Sequence, residues 1–310
     1  MSRKVVAFTG GSGLLALNLA VLMARDYSVY LFLHNRIIKL QNINTLRVDL
    51  NSISEIALHL VELKVDLLIN CAALTNVETC EQNPDSALHA NSTIANNIAV
   101  ACSRLGVKLV HISTDHLFDG KQSFYTEDAP VNPLNSYGYS KAVGEEKVLA
   151  SCPTSLVLRT NFFGWGWPHR KSFSDAILNN LSSSSFSYLF ADVFFTPVII
   201  PELLNAIIGL IELDSNGIFN VSSAERISKF DFGFRLAQNF SYSTEYILPS
   251  EYCSRSDLTR RPCDMSLSNK KLLSVITGYN DDISNHIKLL QESSNEQHSA
   301  GLAFLDSSHR

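Results

Sequence analysis

Residues 4–16 read KVVAFTGGSGLLA. The first seven, KVVAFTG, are apolar and β-branched at the start, which predicts a buried strand. Gly10, Gly11 and Gly13 follow, and the apolar run from Leu14 to Arg25 then predicts a helix. A strand, a glycine turn and a helix in that order open a parallel α/β unit. Gly10 and Gly13 match the first two positions of a GxxGxxG turn, and Ala16 takes the third. Such glycines let the backbone approach a pyrophosphate, whose charge the helix N-terminus attracts. A plain tight turn is the alternative, and the placement between strand and helix favours dinucleotide binding.

Outward from this unit the alternation continues. SVYLFLH (28–34), TLRVDL (45–50), VDLLIN (65–70) and VKLVHIST (107–114) read as further strands. SISE (52–55) reads as a capping box opening a helix that runs to about Lys64. Residues 85–106 read as one long helix stopped by Gly106. Near-continuous apolar strands separated by helices predict a parallel sheet covered on both faces. The expected fold is α/β, a Rossmann-type doubly wound parallel sheet with a smaller C-terminal substrate-binding domain. Beyond about Arg159 the alternation weakens. The expected division is 1–160 for the nucleotide domain, with returns at about 191–215, then 161–290 for the smaller domain and a polar tail at 291–310. SSSS (182–185) reads as an exposed turn, PELLNAIIGLIEL (201–213) as a helix opened by proline, and GIFNVSS (217–223) as a strand.

The 310 residues allow one large or two modest domains, and the formal net charge of −5 offers no basic excess for nucleic acid or an anionic membrane. The chain is 45% hydrophobic, yet no run of 18 apolar residues predicts a membrane span. The N-terminal apolar run resembles a signal peptide, but glycines interrupt it and no small-residue cleavage site follows. The six cysteines form no CxxC pair and no zinc spacing, which fits small thiols of a reducing compartment and predicts no metal. The cytoplasm is the expected location.

Three further observations carry chemistry. In NSYGYSKAVGEE (135–146), Tyr137 and Lys141 stand one helical turn apart and share a face. An ammonium there lowers a phenol's pKa from about 10 and equips it to donate a proton. Taken alone, the pair also reads as a helix start with a solvated lysine. HNR (34–36), after the second strand, lacks the acid that binds an NAD ribose. Arg36 there suits a 2′-phosphate, or is simply a solvated arginine. Finally, Asp49, Asn70 and Ser113-Thr114 end successive strands, the edge where doubly wound sheets bind ligands.

Together the segments TGGSGLLA (9–16), NCAALTNVETCEQNPDSALHAN (70–91), HISTDHLFDG (111–120), PVNPLNSYGYSKAVGEE (130–146), VLRTNFFG (157–164) and RRPCDMSLSNKKL (260–272) resemble the extended short-chain dehydrogenase/reductase superfamily. Within it they look most like the dTDP-4-dehydrorhamnose reductase family. The resemblance implies an NADPH-dependent reductase of a nucleotide-linked 4-keto-6-deoxy sugar, with NADH as the alternative cofactor and a homodimer as the candidate assembly. It implies that Gly10, Gly13 and Ala16 cradle the pyrophosphate, with Leu14 also among the cofactor-binding residues. Asp49 and Leu50 would flank the adenine, and Ala72 and Ala73 would line the cofactor path. Thr114 would bind the substrate oxygen, Tyr137 would donate the proton, and Lys141 would tune it and hold the ribose. Arg261, in RRP (260–262), would meet the substrate's diphosphate or close the second domain. His116 replaces the family's usual tyrosine, and Phe162 stands near a usual tryptophan, so both bear on sugar choice. Two rivals share the scaffold: a nucleotide-sugar epimerase or dehydratase, and a binding protein similar to the regulatory subunit of methionine adenosyltransferase. Asp115 after Thr114 fits the reductase pattern.

Overall fold

The computed structural model describes residues 3–252 and 255–293, together with the backbone of the short strand Leu305–Asp306. Apart from that strand, the polar tail expected at 291–310 lies outside the described residues from 294 onward.

Seven strands form one parallel sheet: β1 Val5–Thr9, β2 Ser28–Leu33, β3 Asn44–Arg47, β4 Leu67–Asn70, β5 Lys108–Ile112, β6 Leu156–Thr160 and β7 Gly217–Val221. Their order is β7-β6-β5-β4-β1-β2-β3. It reverses at β1, which creates a crevice beyond the carboxyl ends of β1 and β4. Both faces are apolar because side chains alternate along each strand. Val6 and Phe8 of β1, Leu67 and Ile69 of β4, and Leu156 and Leu158 of β6 enter one core. Ala7, Leu68 and Val157 enter the other.

Helix α1 (Leu14–Met23) and α6 (Ile200–Glu212) cover the first face, and α1 is apolar nearly all round because it is wedged between sheet and helix. Helices α2 (Ile53–Glu62), α3 (Ile94–Leu105) and α4 (Ser136–Ser151) belong to the second. A third core joins α5 (Phe173–Ser182), α7 (Lys229–Asn239) and α8 (Ile283–Glu292) around Phe195 and Phe232. The chain returns to the sheet through α6 and β7, reaching past the residues 191–215 expected for that return.

Two local expectations change. Ser52 caps α2 by accepting the Glu55 N–H at 3.2 Å, but the Glu55 carboxylate accepts from the Asp49 N–H at 2.9 Å, so the box does not close on itself. The helix expected over 85–106 contains a π turn at His89–Thr93, flanked by Pro84–Leu88 and α3. Gly106, at φ +67°, ends it.

Candidate active site

The glycine turn is built for close approach. Gly10 has φ +63°, and a Cβ on it would lie 2.8 Å from the Ala72 backbone. The Gly13 N–H donates to the Gly10 carbonyl at 2.7 Å, and α1 starts at Leu14 with no side chain capping it. The first-turn N–H groups therefore face a cavity of about 530 Å³ that Gly10, Gly13 and Leu14 help to line. Arg36 and Ala73 line the same cavity.

Opposite the turn stand Thr114, Tyr137 and Lys141. Asn135 starts α4 by accepting the Gly138 N–H at 2.9 Å. This cap sets the phase of the helix, so Tyr137 and Lys141 are buried while Tyr139 is 55% exposed. The Lys141 ammonium donates to the Ile112 carbonyl at 2.7 Å and lies 3.4 Å from His111 Nε2. The Thr114 hydroxyl donates to Asp115 Oδ1 at 3.3 Å and accepts the His116 N–H at 3.2 Å.

The expected lowering of the tyrosine's pKa is not what the structure gives. Burial pushes the Tyr137 phenol up to about 12, with the neighbouring Thr114 hydroxyl working the other way. Burial likewise pushes Lys141 down to about 8, against Glu145 and Cys71, which favour its charge. Desolvation outweighs pairing because the ammonium is spent on a backbone carbonyl. A phenol held neutral remains a proton donor toward an alkoxide.

Of the residues singled out in the sequence, Gly10, Gly13, Leu14, Arg36, Ala73, Thr114, His116, Tyr137, Lys141 and Phe162 line this cavity. Asp49, Leu50 and Ala72 do not. The Asp49 carboxylate accepts from the Asn51 backbone and side chain, at 3.0 and 2.7 Å, and so caps a turn. Leu50 packs against the core beneath α2 and α3, and the Ala72 N–H donates to Asn70 Oδ1 at 3.1 Å. The sequence reading set Ser113 beside Thr114 at the ligand edge of the sheet but missed Thr160. Their buried hydroxyls line the cavity without a hydrogen-bond partner among the described residues. Both sit at strand ends, the signal that marked Thr114. It also missed His169, whose Nε2 meets the Ser12 carbonyl at 2.9 Å and brings the 165–170 loop over the glycine turn.

Residues 3–293 match the model of the RmlD substrate binding domain family. This chain belongs to that family. It is 32% identical over 199 residues to "Probable low-salt glycan biosynthesis reductase Agl14" of Haloferax volcanii, covering 62% of this chain and 65% of the relative. It is 31% identical over 173 residues to dTDP-4-dehydrorhamnose reductase of Mycolicibacterium smegmatis, covering 54% and 51%. Methionine adenosyltransferase 2 subunit beta of Xenopus tropicalis is 26% identical over 206 residues, covering 61% and 58%. Among solved structures, a dTDP-4-dehydrorhamnose reductase from Bacillus anthracis in complex with NADP superposes with a TM-score of 0.83 at 24% identity, over 94% of this chain and 100% of that one.

In this RmlD-family chain a second cavity, of about 370 Å³, adjoins the first at His116. Arg261 lines this second cavity rather than the first, and its guanidinium pairs with Glu78. Aromatic side chains wall it, with Phe173, Phe190 and Tyr252 among them. Lys229, unremarked in the sequence, stands half-buried in the same wall. Its ammonium lies 3.2 Å from the Phe195 ring centroid and 5.1 Å from that of Phe173.

Proposed function

We propose that this chain is an NADPH-dependent reductase of a nucleotide-linked 4-keto-6-deoxy sugar. The observation that carries the reading is the convergence of Thr114, Tyr137 and Lys141 on the cavity that the glycine turn opens. The residues fit the cofactor. The Gly10–Leu14 turn and the helix N-terminus suit a pyrophosphate, Arg36 suits a 2′-phosphate, and the Ser113 and Thr160 hydroxyls offer polar partners. A reduced nicotinamide, when bound, supplies hydride to the sugar carbonyl. Thr114 hydrogen-bonds the carbonyl oxygen, Tyr137 gives it a proton as charge develops, and Lys141 holds the ribose. The second cavity takes the remainder of the nucleotide sugar, with Arg261 and Lys229 facing its anionic part. His116 borders both cavities and Phe162 the first, so these two would influence which sugar fits. The relatives named as reductases support the same chemistry.

A second reading is a binding subunit, favoured by the similarity to methionine adenosyltransferase 2 subunit beta. One assay separates the two: consumption of NADPH or NADH by the purified chain with a panel of keto-sugar nucleotides. The reductase turns over at least one of them with NADPH preferred. Tyr137→Phe lowers that turnover by about 10²–10⁴-fold, the usual worth of a positioned acid, while cofactor binding survives. A chain that binds NADPH but turns over nothing, with Tyr137→Phe indistinguishable from it, rejects the enzyme.

A further inference from the structure

Behind Lys141 lies a buried polar file that crosses three strands. Thr9, Asn70 and His111 are in register on β1, β4 and β5, and all three point to the α4 side of the sheet. The Thr9 hydroxyl donates to Asn70 Oδ1 at 2.6 Å, and the Ala72 N–H donates to the same atom at 3.1 Å. A backbone N–H can only donate, so that atom is the amide oxygen. The other amide atom is therefore the NH₂, and it can only donate to His111 Nδ1, 2.9 Å away. Asn70 thus leaves Nδ1 with a lone pair. Burial keeps the His111 imidazole neutral, so its one proton sits on Nε2. That N–H points at the Lys141 nitrogen, 3.4 Å distant.

We propose that His111 is a positioning residue for Lys141, locked by Asn70 and Ala72 in the tautomer that turns an N–H toward the lysine. Two donors face each other while the lysine is an ammonium. When it is an amine, its lone pair accepts the imidazole N–H. The file therefore favours loss of the lysine's proton and holds the nitrogen once it is an amine, while the Ile112 carbonyl holds the ammonium. The other groups facing Lys141 do not reproduce this. Cys71 stays a thiol, pushed up to about 12 by burial. Glu145, one turn along α4, is held by Arg159, with Nη2 2.8 Å from Oε2. Tyr137 stays neutral well above physiological pH.

The inference concerns the lysine of the proposed cofactor site and rests on that reading only for its binding measurement. The first test needs no cofactor: ¹⁵N NMR of the imidazole in the whole chain. His111 should show the Nε2–H tautomer, unchanged from pH 6 to pH 9. An imidazolium or an Nδ1–H tautomer overturns the proposal. The second test is the pH dependence of NADP⁺ affinity. Asn70→Asp keeps the acceptor for Thr9 and Ala72 but replaces the NH₂ by a second acceptor, which draws the proton to Nδ1. Nε2 then accepts from the ammonium, and the midpoint for losing the lysine's proton should rise by about one pH unit. Adding His111→Phe to Asn70→Asp keeps the new charge but removes the imidazole, so the rise should vanish. A rise that persists without the imidazole is a through-space charge effect and overturns the proposal. If NADP⁺ binds at no pH, the cofactor reading fails, and the NMR tautomer alone decides the role of His111.

Discussion

At the scale of single residues, the site divides its titrating groups by burial. Lys141 is pushed down to about 8 and Lys229 to about 7, both chiefly by desolvation, while Tyr137 is pushed up to about 12. A lysine whose pKa is lowered carries its charge only below that value. The proposed reductase needs both charges, so kcat/KM for a sugar nucleotide should fall as pH rises, first near 7 and again near 8. The phenol stays protonated through both steps and adds none. Lys229→Met should remove the step near 7 and leave the one near 8. A profile that rises from pH 6 to 9 contradicts the assignment. These shifts could not be read from the sequence. The helical phase of Tyr137, Tyr139 and Lys141 was legible there, because periodicity fixes it. The desolvation that shifts Tyr137 and Lys141 comes from tertiary packing, which no local periodicity announces.

At the scale of elements, α4 carries Tyr137 and Lys141 of the proposed site and must be held at a fixed height on the sheet. A buried ion pair does this. Arg159 of β6 donates to both Glu145 oxygens, from Nε at 3.1 Å to each, and also to the Glu127 carbonyl at 3.0 Å. Breaking such a pair from one side leaves a buried charge without a partner. Arg159→Met should cost about 3–5 kcal/mol in urea unfolding, and Glu145→Leu added to it should recover much of that loss. A single-variant cost below about 1 kcal/mol would mean that the pair does not anchor the helix. The strands and their order were legible because both faces of the sheet are apolar and the runs are short and β-branched. Other features were not legible. The capping box at 52–55 fails because Glu55 finds Asp49 instead. The π turn at 89–93 has no periodic signature. It brings the Asn91 carbonyl so near α4 that a Cβ on Gly144 would lie 2.3 Å from it. Asp49 looked like a ligand residue from its strand-end position, yet its carboxylate turned to the adjacent Asn51.

At the scale of the whole molecule, the two cavities share His116 but draw their walls from different parts of the chain. The first is built by the carboxyl ends of the sheet. The second is built by α5, α7, the segment around 188–193 and Tyr252, Arg261 and Met265, a region where the sequence alternation gives little warning. Lys229 marks the division. Its ammonium makes no hydrogen bond or ion pair among the described residues, and its surroundings are ring faces and the nearby charges of Asp115 and Arg261. A cation set so needs an anion to complete its shell, and a nucleotide sugar brings one on its diphosphate. Lys229→Met should therefore raise KM for the sugar nucleotide about 10–100-fold, the range for one hydrogen bond to a charged group. It should leave kcat within a few fold, because Thr114, Tyr137 and Lys141 are untouched. NADPH affinity should not change, since Lys229 lies outside the first cavity. Lys229→Arg keeps the charge and should restore most of the lost affinity, whereas a purely packing role would let methionine serve better than arginine. Initial rates over a range of both substrates, with a separate NADPH titration, decide the point. A loss of NADPH affinity matching the loss for the sugar nucleotide would show that the cavities do not divide the two ligands between them.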